Sequence, residues 1–246
     1  MALWEVALLV LGGVAAGAIN TVAGGGSMLT VPLLVLAGVP GNAANGSNRV
    51  GILTSNVAAV ATFRRLGVQG LVHASRVLVP VLVGSLVGSL GVSRLLGDEV
   101  FEKVFGLLMI PLVILSVRRP QAQESGSRPW SSLTVLIVFF GIGVYGGAFQ
   151  AGVGLVLLAA LTRSGFDLVL ANSIKVIVNT AVTLVALPVF ILNGDVRWLP
   201  ALVLATGFVA GGSLGAQLAV RGGETLIRRA MVLAALALAG RLIGLY

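Results

Sequence analysis

Residues 17–34 read Gly-Ala-Ile-Asn-Thr-Val-Ala-Gly-Gly-Gly-Ser-Met-Leu-Thr-Val-Pro-Leu-Leu, and the glycine run Gly24, Gly25, Gly26 interrupts a strongly apolar stretch. Each glycine costs a helix interior about 1 kcal/mol against alanine. At membrane depth an unwound backbone is tolerated only where protein or water surrounds it. The stretch therefore predicts a broken helix, with Ser27 capping a new half-helix that starts near Met28. Bare amide N–H groups and the positive end of the helix dipole make such a start a backbone anion site, formed here by Gly24, Gly25 and Gly26. The competing reading is that the glycines only allow tight helix packing.

The apolar surroundings extend over the whole chain. Of 246 residues, 57% are hydrophobic and 10% charged, and the mean hydropathy is +1.07. Soluble domains run about 25% charged, and a small globule is too much surface to hide this much apolar side chain. The solvent is lipid, and the class is an all-α polytopic membrane protein. The absence of cysteine and the single histidine, His73, exclude disulfides, thiolate or multi-histidine metal sites and cysteine nucleophiles. No metal and no cofactor are expected, and an intramembrane enzyme lacks a nucleophile–base pair. The formal charge of +8 comes from basic residues scattered between apolar segments, which reports topology and not nucleic-acid binding. Met1–Glu5 carries no Lys or Arg, unlike a typical cleaved signal peptide.

Spanning helices need about 20 apolar residues. The first half offers Trp4–Val22, a short stretch Met28–Ala37, then Asn45–Phe63, Val77–Leu96 and Val100–Val117. After the polar linker Arg118–Pro129 the second half offers Leu133–Ala148, a short stretch Val153–Leu161, then Asn172–Leu192, Leu199–Val220 and Leu226–Tyr246. Both halves read long, short, long, long, long, about 8–10 membrane segments with short broken or re-entrant helices. A shift of 127 positions brings Ala44-Asn45 onto Ala171-Asn172, Gly67 onto Gly194, and Gly84 and Gly88 onto Gly211 and Gly215. At a shift of 128, Ala23-Gly24-x-Gly26 falls on Ala151-Gly152-x-Gly154. These matches predict two homologous units, 1–117 and 131–246, joined by a cytoplasmic linker over 118–130.

The basic residues set the sidedness. Arg64, Arg65 and Arg76 place the 64–76 loop inside, the acid-rich 94–103 loop suits the outside, and Arg118, Arg119 and Arg128 return the linker inside. Arg221, Arg228 and Arg229 mark the last loop as inside. Equivalent loops then lie on opposite sides, the pattern of an inverted repeat with both termini outward.

The polar residues inside the segments carry the functional expectation. Asn45, Arg49, Ile52 and Asn56 share one helical face, as do Asn172, Lys175, Asn179 and Thr183. Intramembrane charges are costly and face a cavity or snorkel to the interface. A cation beside amides on each of two corresponding helices favours the cavity. No Asp or Glu lies well inside a segment, so the expected counter-ion is a small anionic substrate, with Arg49 as a bidentate fork and Lys175 as a point charge. The expected lining is Asn20, Ser27, Asn45, Arg49 and Asn56 with Gln150, Asn172, Lys175 and Asn179. Gly84-x-x-x-Gly88 and Gly207-x-x-x-Gly211-x-x-x-Gly215 read as small-residue seams, within the chain or joining a homodimer. His73 reads as a surface residue of an inside loop, and Trp4, Trp130 and Trp198 as interfacial anchors.

Gly17-x-x-Asn20, Ala23-Gly-Gly-Gly-Ser27, Val31-Pro32-Leu33-Leu34, Ala43-Ala44-Asn45-Gly46-Ser47 and the Gly67-x-x-Gly70 turn together resemble the TauE/SafE family of sulfite and organosulfonate exporters. The pattern repeats weakly at Gly146–Gly154 and Ala171–Lys175. The resemblance implies a multi-pass transporter of the cell (inner) membrane, exporting sulfite or an organosulfonate along a potential or ion gradient. An importer of a related anion and a non-transporting assembly subunit are the alternatives. The second copy departs from the motif at Val153 and Leu155.

Overall fold

The computed structural model describes residues 3–117 and 130–221. The linker arginines Arg118, Arg119 and Arg128, and the expected last segment Leu226–Tyr246 with Arg228 and Arg229, lie outside the described residues. Within them the chain is entirely helical: α1 (Leu3–Val22), α2 (Ser27–Leu36), α3 (Gly41–Arg65), α4 (Leu71–Leu95), α5 (Asp98–Val117), α6 (Ser132–Ala148), α7 (Val153–Arg163), α8 (Leu168–Leu192) and α9 (Trp198–Val220). Four stretches, Leu3–Val22, Val77–Leu95, Leu168–Leu192 and Trp198–Val220, are long and apolar enough to cross a bilayer. Trp4 and Trp198 stand half exposed or more at helix ends, as interfacial anchors do.

The breaks form where the glycines place them. Ala23 and Gly24 both donate their N–H to the Ile19 carbonyl, and Gly24 takes φ +86°, the left-handed closure that ends a helix without steric cost. The equivalent turn before α7 places Gly152 at φ +59°. Two boundaries differ from expectation. α3 begins at Gly41, directly after Pro40, and α8 at Leu168, whose N-cap Asp167 accepts from the N–H groups of Val169 and Leu170. Both helices therefore start a turn earlier than expected, because Pro40 and the capping side chain of Asp167 set their first turns. His73 lies in the first turn of α4 and not in a loop; it is exposed, with its ring edge-on to Phe166.

The helices pair by exchange between the two halves. α1 packs along α9 and α6 along α4, while α3 packs on α9 and α8, and α8 on α4. Glycines make the two long contacts close. A Cβ at Gly88 of α4 would sit 1.9 Å from the Val144 carbonyl oxygen of α6, and one at Gly207 of α9 would sit 2.1 Å from that of Val10 in α1. Both small-residue seams are thus filled within the chain. The interior combines two large apolar clusters, one around Met28, Phe101, Phe190 and Phe208 and one around Phe139, Leu157, Ile174 and Val178. Between them runs a layer of buried polar side chains.

Candidate functional site

That layer forms where the two breaks touch. A Cβ on Gly24 would lie 2.2 Å from the Gly154 carbonyl carbon, and one on Gly154 would lie 2.4 Å from the Gly24 Cα. The first break is therefore packed directly on the start of α7, backbone to backbone, and only glycine fits at either place. All nine side chains expected to line the site are buried: Asn20, Ser27, Asn45, Arg49 and Asn56 from the first half, Gln150, Asn172, Lys175 and Asn179 from the second.

The two cations do not face open space. Arg49 Nη1 donates to the Gly146 carbonyl at 3.1 Å and to Gln150 Oε1 at 2.8 Å. Its Nη2 donates to the carbonyls of Gly147 at 2.6 Å and Ala148 at 3.3 Å. Those carbonyls are the open C-terminal end of α6, where the helix dipole is negative. The Phe190 ring lies 4.5 Å beneath the guanidinium, a favourable cation–π placement. Lys175 answers from the other half: its Nζ donates to the Asn20 and Thr21 carbonyls at 3.1 and 2.6 Å, and to Asn172 Oδ1 at 2.7 Å. Each cation thus caps the broken end of the other half's first helix. Both lie about two turns inside their helices and are at most 1% exposed, so neither snorkels. At the 127-residue offset Lys175 falls on Asn48 and not on Arg49; the correspondence is of role, one residue out of register.

Amides tie the rest together. Gln150, held at the left-handed φ of +59° unusual for a side-chain-bearing residue, donates from Nε2 to Asn179 Oδ1 at 2.8 Å while accepting from Arg49. Asn20 donates to Asn56 Oδ1 at 3.1 Å, and Asn45 donates to the Ala148 carbonyl at 2.8 Å. Ser27 does not cap α2. It is the first residue of that helix and its hydroxyl accepts from Asn48 Nδ2 at 3.0 Å, while Thr30 donates to Asn48 Oδ1. Asn48 thereby clasps α2 to α3. With no side-chain cap, the N–H groups of Gly25, Gly26 and Ser27 have no acceptor among the described residues.

Sequence reasoning passed over the carbonyl ends of α1 and α6 and the Phe190 ring. A break has two ends, and the signal available was the C-terminal one: carbonyls freed by the same glycines that free the N–H groups. No group of three or more potential metal ligands occurs among the described residues. Two cavities of about 440 Å³ each lie elsewhere, one between α2 and α5 lined by Val31, Val35 and Phe105, the other between α5, α6 and α7 lined by Leu112, Ile142 and Val156. Neither is lined by a residue of the polar layer.

The sequence model of the family described as sulfite exporter TauE/SafE matches residues 9–242. The chain is 28% identical over 230 residues to a probable membrane transporter protein of Haemophilus influenzae, covering 92% of this chain and 90% of that one. It is 28% identical over 234 residues to the probable membrane transporter protein ORF9 of a Sinorhizobium species, covering 93% and 88%. It is also 29% identical over 231 residues to the probable membrane transporter protein YfcA of Escherichia coli K12, covering 93% and 86%.

Proposed function

The chain belongs to the sulfite exporter TauE/SafE family, a family of multi-pass membrane transporters, and on that premise we propose that it exports a small sulfur-containing anion, sulfite or an organosulfonate, across the inner cell membrane. The path runs through the polar layer where the two halves, 1–117 and 131–246, meet as an inverted repeat. The observation that carries this reading is the buried charge balance of that layer. Arg49 brings a positive charge into it whose hydrogen-bond partners are neutral carbonyls and an amide, Lys175 brings a second, and no Asp or Glu is among the buried polar side chains of the described residues. A layer with that balance attracts an anion and rejects a cation.

The parts divide by role. The N–H groups of Gly25 and Gly26, with that of Ser27, present a helix start to the anion, while the Gly24 N–H, expected to share in it, is spent on the Ile19 carbonyl. Asn20, Ser27, Asn45 and Asn56 on one side, and Gln150, Asn172 and Asn179 on the other, supply neutral donors around it. Arg49 and Lys175 supply the charge and couple anion occupancy to the broken helix ends that they cap. A membrane potential of 100 mV, negative inside, favours outward movement of a monovalent anion by about 2.3 kcal/mol, so export needs no nucleotide.

Sulfite flux in proteoliposomes, with sulfate and chloride as controls, tests the reading. The expected result is saturable sulfite movement that Arg49→Gln and Lys175→Gln each reduce at least tenfold in protein that remains folded. Absence of flux for sulfite and for sulfonates would overturn it.

A further inference from the structure

Six side-chain atoms among the described residues are buried with no hydrogen-bond partner: Thr21 Oγ1, Asn42 Oδ1, Asn45 Oδ1, Arg49 Nε, Ser55 Oγ and Asn56 Nδ2. All six stand on α1 or α3. The network of the second half is satisfied, since Gln150 bonds to Arg49 and Asn179, and the Thr183 hydroxyl donates to the Asn179 carbonyl. Buried orphans are rare because each forfeits its hydration without return, so a cluster confined to one side of a transport layer calls for a ligand.

The six sort by place and chemistry. Asn42 lies apart, beside Leu96 and Asp98 at the far end of α3. The Asn45 oxygen and the Arg49 Nε–H are complementary and one turn apart on the same helix. Thr21, Ser55 and Asn56 remain. They are neighbours: Asn20 is bonded to Asn56 across α1 and α3, which sets the pair 20–21 against the pair 55–56. α9 covers both, for a Cβ on Gly212 would lie 2.8 Å from Ser55 Oγ and one on Gly215 would lie 2.8 Å from Thr21 Cβ. Those two glycines, three apart, share a helix face. Lys175 Nζ sits against the Thr21 carbonyl. Two hydroxyls and an amide NH₂ offer hydrogens, the ammonium adds its charge with its three hydrogens already given to Asn20, Thr21 and Asn172, and no carboxylate is among the buried polar side chains of the described residues.

We propose that Thr21, Ser55 and Asn56 form the seat that selects the transported oxyanion, placed on the α1–α3 side of the layer under Gly212 and Gly215 of α9. This rests on the transport reading above and deepens it: two hydroxyls not counted in the amide lining donate to the anion's oxygens, and the bound ion is held asymmetrically, against the first half and not midway. Lys175 caps the α1 end beside this seat and lends it positive charge, whereas Arg49 caps the α6 end.

The test is the concentration dependence of sulfite flux in proteoliposomes for wild type, Thr21→Val, Ser55→Ala and Thr21→Ser, with thermal unfolding measured alongside. Loss of one hydrogen bond to a charged ligand predicts about a tenfold rise in half-saturating sulfite for Thr21→Val and for Ser55→Ala, with the maximal rate kept. Thr21→Ser keeps the hydroxyl and returns the wild-type value. Unfolding temperature holds or rises, because each variant removes an unpartnered polar atom. Unchanged half-saturation in both folded variants overturns the seat while leaving transport standing, and so does loss of folded protein in both, which would assign the hydroxyls to packing. A wild-type protein that moves no sulfite overturns the transport reading and the seat with it.

Discussion

Replacing Arg49 by methionine keeps a stem of similar length on Phe190 and removes the donors. Four hydrogen bonds disappear, but the consequences are unequal. The Ala148 carbonyl retains Asn45 as a donor, whereas Gln150 stays tethered to Asn179 through its Nε2 but its Oε1 loses its donor. The carbonyls of Gly146 and Gly147 depend on the guanidinium, because the chain beyond them turns away and the Ala151 N–H goes to the Phe149 carbonyl instead. Three buried acceptors stranded at about 1–3 kcal/mol each, less the relief from no longer burying a cation, leave a net loss of about 3 kcal/mol. For a chain of this size that corresponds to a fall of roughly 6–12 °C in unfolding temperature. Lysine at the same position keeps the charge with three hydrogens in place of the fork and falls in between. The assay is thermal unfolding of purified protein in detergent, followed by tryptophan fluorescence. An Arg49→Met protein melting within about 2 °C of wild type would refute the capping role and show that the α6 end is held by something else.

Three further outcomes follow from the same geometry. Lys175→Met strands the Asn20 and Thr21 carbonyls at the end of α1, and costs about 2 kcal/mol, read in the same melt. Gly24→Ala drives a Cβ into Gly154 and yields little or no monodisperse protein, whereas Gly38→Ala has a similar φ of +80° with nothing within 4 Å and loses only about 1–2 kcal/mol; size-exclusion profiles separate them. With no native cysteine, Leu66→Cys and Gly97→Cys, both at exposed positions, are labelled by an impermeant maleimide from opposite faces of the membrane, the first from inside.

What the sequence makes legible here is whatever local chemistry controls. The half-helix starts fall at Ser27 and Val153, against expectations near Met28 and at Val153, because glycine runs break helices whatever packs around them. The polar faces of α3 and α8 were readable because amides at helical spacing have few other places to go in a bilayer. The main-chain partners of Arg49 and Lys175 were not readable: they are carbonyls 97 to 155 residues away, and carbonyls carry no side-chain signature. The cations therefore read as unpartnered from sequence, while in the fold they hold the ends of broken helices. Ser27 misled for a related reason, since its hydroxyl has a choice between capping its own helix and accepting from Asn48, and only tertiary packing decides.

The central claim is that this layer conducts a small sulfur anion from inside to outside along the electrical gradient. Sulfite movement in proteoliposomes under a potassium diffusion potential, imposed first in one direction and then in the other, tests it most directly. The account predicts saturable flux toward the positive compartment, reversing when the potential is reversed and strongly reduced in Arg49→Gln and Lys175→Gln. Flux that ignores the sign of the potential, or that survives both substitutions undiminished, would contradict it.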